Sequence, residues 1–331
     1  MTETPQSVGR FPFCRFALAL AGLLVLAFLS LFIGVGDVSI KALLTGEGSP
    51  ALQLMLVSRI PRTLAVIFAG MSMGIAAVIM QMLFRNRFVE PTTAGTAESA
   101  TLGLLTVTLL APSMPVFGKM LVAAAFALAG TYLFLRIVDR ISWRTAMIVP
   151  LVGLMLSGVI EAVTTFFAYR YDLLQAVNAW TSGDFSGVLR GRYELLWVAF
   201  ALAALAYAAA DRFTVAGLGD AFSTNLGLDY RKVVTLGLVI VALVTAACVV
   251  TAGTVPFLGL IVANVVSLIM GDNLRRTLPW IALSGAGFLL ACDIAGRLIR
   301  FPYEIPVGTV AGVIGSAIFL HLLLSRRYRL G

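Results

Sequence analysis

Long apolar runs separated by short polar segments dominate the chain from about residue 16 to its end. Most of these runs approach or exceed the roughly 20 residues that an α-helix needs to cross a bilayer. The pattern predicts an all-α, polytopic membrane protein with about ten transmembrane helices. The predicted spans cover residues 16–34, 63–84, 96–111, 120–137, 145–169, 193–210, 233–252, 255–270, 278–296 and 307–324. The third and eighth are short for a perpendicular crossing, so we expect short or broken helices there.

The segments around these runs predict a single ten-helix domain, 16–324, between two cytoplasmic tails, 1–15 and 325–331. The first run exceeds a usual signal-peptide core and no small-residue cleavage site follows it, so we interpret it as a retained helix. Ten spans place both termini on one side, where fifteen of the 24 lysines and arginines then lie, against nine on the other side. The positive-inside rule therefore predicts that both termini are cytoplasmic.

The composition agrees with this class. The chain is 60% hydrophobic and 12% charged, with a mean hydropathy of +0.98, which excludes a soluble globular domain. Its net charge of +8 does not indicate nucleic-acid binding, because the basic residues lie singly or in pairs at the ends of apolar runs. Cys14, Cys248 and Cys292 form no C-x-x-C motif and His321 is the sole histidine. No disulfide framework, metal site or cofactor is therefore expected.

The second apolar run is the best candidate for an interior helix. It has no charged residue between Thr63 and Phe84, and Gly70 and Gly74 have the small-x-x-x-small spacing that lets a neighbouring helix approach closely.

Arginines are unexpectedly frequent at the span ends on the predicted outer side. They could form a basic face for an acidic partner, or their side chains could extend to lipid headgroups, and the composition favours neither. The residues concerned are Arg59, Arg62, Arg170, Arg190, Arg192, Arg297 and Arg300.

The longest segment on the predicted inner side, 211–232, has small and apolar residues along one face and glycines at Gly217, Gly219 and Gly227. It predicts a short helix along the inner surface, which is either an ordinary loop or a docking element for a cytoplasmic partner. The chain has no G-x-x-x-x-G-K-[ST] motif, so any ATP chemistry belongs to another chain and no enzymatic activity is expected here.

Seven short motifs, in order along nearly the whole chain, give it a family resemblance. The chain resembles the permease subunits of binding-protein-dependent ABC importers for ferric siderophores and cobalamin, the FecCD-like family. The motifs are R-x-P-R-T-L at Arg59–Leu64, Q-x-L-F-x-N at Gln81–Asn86, E-P-x-x-x-G at Glu90–Gly95, N-L-G-L at Asn225–Leu228, F-L-G-L at Phe257–Leu260, D-I-x-x-R at Asp293–Arg297 and E-I-P-V-G at Glu304–Gly308.

The resemblance implies a type II ABC importer permease in the bacterial inner membrane. Its partners would be a second permease subunit, identical or related, two ATP-binding subunits and a periplasmic substrate-binding protein. Arg59 and Arg297, with Arg62 between them in sequence, resemble the arginines that meet acidic groups on the binding protein.

The resemblance also assigns two elements on the inner side. Asn86, Phe88, Thr145 and Ala146 match the family's cytoplasmic gate. The segment from Gly219 to Asp229 matches the coupling helix that enters a cleft of the ATPase, and its motif residues are Gly219, Asn225, Leu226, Gly227 and Leu228.

The chain departs from the family pattern at two places. It has Asn86-Arg87 where many members have Asn-Pro, and Ala263-Asn264 where many have Pro-His after F-L-G-L. The sequence around Glu90 and around Asn264 resembles most closely the branch of the family that serves ferric siderophores of the catecholate and related types. A ferric siderophore is therefore favoured as cargo over cobalamin or haem.

Two acidic residues support a competing hypothesis. Glu98 and Glu161 fall inside predicted spans, and intramembrane carboxylates commonly serve transport, as in a proton-coupled secondary transporter. An ATP-driven importer needs no proton relay, so we expect these two residues to be packing or hydrogen-bonding groups. A purely structural or assembly subunit is a third hypothesis, but it would need no polar hairpin at a span end.

Overall fold

The computed structural model describes residues 13–34, 49–141 and 148–324, and regular structure within these ranges is helical. The helices are α1 (Phe13–Phe32), α2 (Ser49–Leu54), α3 (Ile60–Leu83), α4 (Thr96–Leu110), α5 (Val116–Arg140), α6 (Ile148–Arg170), α7 (Leu174–Thr181), α8 (Leu195–Ala208), α9 (Ala210–Ala216), α10 (Asp220–Asn225), α11 (Tyr230–Thr251), α12 (Leu258–Met270), α13 (Leu274–Leu298) and α14 (Val307–Leu324). A π-helical turn, Met55–Arg59, joins α2 to α3. The predicted tails, 1–15 and 325–331, lie almost entirely outside the described residues.

In the described part of the chain, six helical units are long and apolar enough to cross a membrane, or seven if α8 and α9, bent by 66°, form one span. Three shorter apolar helices, α4, α12 and α14, complete a series that follows the ten predicted spans in order. Two of the three, α4 and α12, are the spans predicted to be short, and they have 15 and 13 residues. The all-helical class is thus confirmed, whereas ten crossings remain a prediction.

Helix α3 is the centre of the molecule and packs against α13, α11, α12 and α8. A Cβ atom placed on Gly70 would lie 2.4 Å from the carbonyl oxygen of Gly285 in α13, and one on Gly74 would lie 3.2 Å from a methyl group of Ile281. A larger side chain at Gly70 would displace the backbone of α13, and one at Gly74 would require the side chain of Ile281 to shift. The predicted interior helix with a small-residue contact face is confirmed.

The beginning of this central helix differs from the prediction. The predicted span began at Thr63, but the helical unit continues backwards through the π-helical turn and α2 as far as Ser49. Pro61 has no N–H group and cannot donate to the carbonyl of Val57, which instead accepts a hydrogen bond of 2.9 Å from the backbone N–H of Arg190. Arg59 therefore lies inside a helical unit and not in a loop before it.

The two ends of the molecule follow from α3. We call the end near Arg59 the outer end and the end near Leu83 the inner end, in line with the predicted orientation. At the outer end, the loop after α7 closes against the start of α14, where the N–H of Gly308 donates to the carbonyl of Gly183 at 3.0 Å. Helix α9 lies at the inner end beside α3, α11 and α13, and α10 lies beside α9 and α11.

Candidate functional site

An ion-pair cluster at the outer end joins α3, α13 and the segment before α14. One oxygen of Asp293 accepts hydrogen bonds from Nη2 and Nε of Arg62 at 2.8 and 3.1 Å, and the other oxygen pairs with Arg297. Arg62 also pairs through Nη1 with Glu304 at 2.6 Å. Asp293 therefore shares its charge between two guanidinium groups that belong to different helices.

The same arginines hold the end of α1. Nη1 of Arg59 donates to the carbonyl of Ile33 at 2.8 Å, and Nη1 of Arg297 donates to the carbonyls of Ile33 and Ser30 at 2.7 and 2.9 Å. The last carbonyls of a helix lack intrahelical partners and carry partial negative charge, so guanidinium groups stabilise this end. Gly34 leaves the necessary room, because a Cβ atom there would lie 1.8 Å from Nη1 of Arg59.

Burial distinguishes these arginines from the others at the outer end. Only 6% of the surface of Arg59 and of Arg62, and 2% of that of Arg297, is exposed, and Asp293 is fully buried. Arg297 therefore forms an internal ion pair with Asp293, which is the alternative to a docking role. Docking of a binding protein by these arginines remains a prediction. The exposed arginines at this end are Arg170, Arg190, Arg192 and Arg300.

Two of the four predicted gate residues, Asn86 and Phe88, lie at the inner end in the turn that follows α3. The backbone N–H of Asn86 donates to the carbonyl of Gln81 at 2.9 Å, and the side-chain oxygen of Asn86 accepts from the N–H of Phe88 at the same distance. Both Asn86 and Phe88 are buried, and the ring of Phe88 packs edge-to-face against Phe319 in α14, with centroids 6.0 Å apart. The other two predicted gate residues, Thr145 and Ala146, lie outside the described residues.

The two departures from the family pattern contact each other. Nδ2 of Asn264 in α12 donates to the carbonyl of Arg87 at 2.9 Å, and the guanidinium group of Arg87 pairs with Asp272 at 2.8 Å. Arg87 therefore links the turn after α3 to the middle of α12 and, through Asp272, to the segment that follows this helix. The two unusual residues therefore belong to one local contact.

Glu90 is a buried residue whose role could not be inferred from its motif. One carboxylate oxygen accepts from the N–H of Phe257 at 3.1 Å and from the hydroxyl of Thr92 at 2.7 Å, and the other accepts from the N–H of Leu260 at 2.9 Å. These amides begin α12, where N–H groups lack intrahelical partners and a negative charge is favoured. The E-P-x-x-x-G and F-L-G-L motifs thus meet in space, which their spacing along the chain does not show.

The predicted coupling segment contains the short helix α10. Gly219 precedes it with φ +108°, and Gly227 follows it with φ +76°. The hydroxyl of Ser223 donates to the carbonyls of Val215 and Gly219 at 3.0 and 2.7 Å and so ties α10 to α9. Three large apolar side chains of this region are more than half exposed at the inner end, namely Leu218, Phe222 and Leu226. Asn225 ends α10 and Leu228 follows Gly227, so all the predicted coupling residues lie in this one surface element.

Asp229 ends the coupling segment and caps α11. Its carboxylate accepts from the backbone N–H of Lys232 at 3.2 Å and pairs with the ammonium group of the same residue at 3.0 Å. The hydrogen bond from the Lys232 side chain lowers the pKa of Asp229 from its usual value. The cap fixes the point at which the surface segment turns into the long helix.

Glu98 and Glu161 lie in α4 and α6 and line one cavity of about 280 Å³ between α4, α6 and α7. The hydroxyl of Ser157 lies 3.4 Å from Glu98 and donates a long hydrogen bond to its carboxylate. Glu161 is exposed in the chain as described.

The remaining candidate residues behave as small or surface side chains. Cys248 and Cys292 are free thiols buried in α11 and α13, as predicted for small apolar residues. His321 is exposed near the end of α14. Among the described residues, no group of three or more His, Cys, Asp or Glu side chains could hold a metal ion.

Comparison with solved structures shows the same fold. A structure described as an inward-facing metal-chelate type ABC transporter matches with a TM-score of 0.78, covering 94% of this chain and 98% of its own chain. The sequences are only 21% identical, so this likeness concerns the fold alone.

The sequence comparisons are more specific. The petrobactin import system permease protein YclN of Bacillus subtilis is 50% identical over 92% of this chain and 96% of its own length. The ferric-anguibactin transport system permease protein FatD of Vibrio anguillarum is 38% identical over 89% of this chain and 94% of its own length. The model of the FecCD transport family matches residues 22–325. The chain is therefore a member of the FecCD transport family of membrane permeases.

Proposed function

We propose that this protein is the membrane-spanning permease subunit of an ABC importer that moves a ferric siderophore into the cytoplasm. The observation that carries the proposal is the 50% identity, over nearly the full length of both chains, to a permease named for petrobactin import. The 38% identical relative is named for ferric anguibactin, which supports a siderophore of the catecholate and related types as cargo.

The same proposal covers the topology of the chain and the other subunits of the importer. The chain crosses the bacterial inner membrane ten times with both termini in the cytoplasm. It pairs with a second permease, identical or related, receives cargo from a periplasmic binding protein and is driven by two separate ATP-binding subunits. The exposed Leu218, Phe222 and Leu226 support an ATPase contact at the inner end, because clustered exposed apolar side chains commonly mark protein interfaces.

The inner turn after α3 supports a gate in this proposal. Asn86 and Phe88 are held by buried contacts that reach α14, and Arg87 connects the same turn to α12. A movement of α12 or α14 relative to α3 would therefore displace this turn. That coupling is what a gate at the inner end of the pathway requires.

The test is transport by the assembled complex in proteoliposomes, with iron-55-labelled ferric catecholate chelate and binding protein outside and ATP inside. We expect uptake with ATP, none with a non-hydrolysable analogue, and no effect of an uncoupler. The competing proton-coupled carrier makes the opposite prediction, since in vesicles with an imposed proton gradient, acidic outside, its uptake would persist without ATP and collapse with the uncoupler. That result would contradict the proposed function.

A further inference from the structure

The cavity between α4, α6 and α7 has an unusual lining for a position among membrane helices. Two carboxylates, Glu98 and Glu161, face a space of about 280 Å³ together with six threonines. This volume approaches the lower end of the roughly 300–1,000 Å³ of small-molecule sites, so it suits one arm of a larger solute. The threonines are Thr92, Thr101, Thr164, Thr165, Thr181 and Thr254.

The hydroxyl protons of these threonines are mostly directed into the protein. Thr101 donates to the carbonyl of Ala97 at 3.0 Å, and Thr164 donates to that of Ile160 at 2.8 Å. Thr181 and Thr254 likewise donate to backbone carbonyls, and Thr92 donates to the carboxylate of Glu90. A hydroxyl group that has donated its proton can offer only lone pairs to another partner. Five of the six threonines therefore present mainly acceptor lone pairs to the cavity, while Asn178, which also lines it, adds an amide group that can accept as well as donate.

The two carboxylates add negative charge to this accepting wall. Among the described residues, no lysine, arginine or histidine forms an ion pair with either Glu98 or Glu161. An ionised carboxylate within the membrane is costly unless it faces water or a partner of opposite charge, and without either it takes up a proton. The carboxyl groups and the accepting hydroxyl groups of the cavity therefore favour the same occupant, a cation that donates hydrogen bonds.

We propose that this cavity binds a protonated amine, or a similar hydrogen-bond-donating organic cation, carried by the transported chelate. The inference rests on the proposed importer function and adds the charge of the cargo group that this part of the pathway accepts. It gives Glu98 and Glu161 a binding role in place of the packing role expected from the sequence. A metal ion fits less well, because no group of three or more ligating side chains is present among the described residues. The threonine hydroxyl groups and the carboxyl groups of Glu98 and Glu161 that line this cavity can, by contrast, accept the hydrogen bonds of an ammonium group.

The first test measures the charge preference of the cavity without cargo or ATP. Thr165→Cys is introduced into the complex after replacement of Cys14, Cys248 and Cys292, and its modification by 2-aminoethyl and 2-sulfonatoethyl methanethiosulfonate is followed. After correction for the rates with a free thiol, we expect the ammonium reagent to react roughly ten-fold faster, since one opposite charge at close range is worth about 1.4 kcal/mol or more. The double variant Glu98→Gln, Glu161→Gln should lose this preference, whereas Glu194→Gln, outside the cavity, should keep it. An absent preference, or one unchanged in the double variant, overturns the inference.

The second test measures selection among cargoes. Two ferric catecholate chelates are compared that differ in one group, a free secondary amine in the first and its N-acetyl derivative in the second. We expect Glu98→Gln and Glu161→Gln each to lower ATP-driven uptake of the amine chelate roughly ten-fold relative to the acetylated one. Equal loss for both chelates would show a structural role of the carboxylates and overturn the inference. Absence of ATP-driven uptake of either chelate by the parent complex would instead overturn the proposed importer function.

Discussion

The guanidinium group of Arg62 lies 2.8 Å from the carboxylate of Asp293, and the two residues belong to the central helices α3 and α13. Asp293 also pairs with Arg297, one turn further along its own helix. One buried carboxylate therefore compensates two buried cations at the outer end of the molecule. Removing it would leave the two guanidinium groups with Glu304, the hydroxyl of Ser30 and backbone carbonyls as partners.

We expect Asp293→Asn to destabilise the folded protein by roughly 3–5 kcal/mol, because a buried charge that loses its partner is strongly unfavourable. Thermal unfolding of the purified protein in detergent measures this loss. Asp272→Asn is the matched control, since it breaks the exposed pair with Arg87 and should cost less than about 1 kcal/mol. Similar losses in the two variants would show that Asp293 does not stabilise the cluster.

The contact between α3 and α13 can be tested with two glycines of α13. A Cβ atom on Gly285 would lie 2.3 Å from the carbonyl oxygen of Gly70, whereas one on Gly287 would meet nothing within 4 Å. Gly285→Ala should therefore lower stability by roughly 1–3 kcal/mol through overpacking. Gly287→Ala should be neutral or stabilising by up to about 1 kcal/mol, because alanine favours the helix. If both variants unfold at the same temperature, the two helices are not in close contact.

The sequence predicts this contact only in part, and the reason is general. The spacing of Gly70 and Gly74 identifies the face of α3 that a neighbour approaches, but no pattern names Gly285 as the neighbour. The pair of Asp293 and Arg297 follows from their i,i+4 spacing on one helix. The pairing of Asp293 with Arg62, 231 positions away, does not, because it depends on which helices lie together. Motifs fix local geometry, and the packing of helices decides which motifs meet.

The contact between Glu90 and the start of α12 also depends on helix packing and not on a local motif, and it gives a further test. Glu90→Ala would leave the N–H groups of Phe257 and Leu260 without their acceptors in a buried place, at a cost of roughly 1–3 kcal/mol. Glu90→Gln keeps one acceptor oxygen and should cost less. Hydrogen exchange of the first amides of α12 measures the effect, and we expect faster exchange in the alanine variant. Unchanged protection there would mean that other groups hold the start of α12.

The predicted coupling segment is tested at Gly227, which has φ +76° and open space around its Cα atom. A β-branched residue is strained in this conformation, so Gly227→Val should distort the turn after α10 and lower ATP-driven uptake at normal membrane abundance. Gly191→Val is the matched control, because Gly191 has φ +98°, is equally open and lies at the outer end, away from the segment. Uptake that falls equally in both variants would assign the effect to strain in general and contradict docking by this segment.

The docking role of the outer arginines is the last prediction. We expect Arg59→Glu and Arg297→Glu each to weaken capture of the binding protein in a salt-sensitive way, and reversal of the matching acidic residue on the partner to restore part of it. Loss of one member of a desolvated interfacial charge pair commonly costs roughly 2–5 kcal/mol. Binding to the complex in nanodiscs at several ionic strengths measures the effect.

The buried cluster offers a rival explanation, because Arg297 pairs with Asp293 and both arginines hold the carbonyl of Ile33. Thermal unfolding of the same variants separates the two roles. Arg300→Glu is the control, since Arg300 is exposed at the same end and lies over the ring of Tyr303. Weaker capture that the partner's charge reversal rescues supports docking. Weaker capture without rescue, together with a lower unfolding temperature only for Arg59→Glu and Arg297→Glu, would show that these arginines act within the chain and that another part of the outer end receives the binding protein.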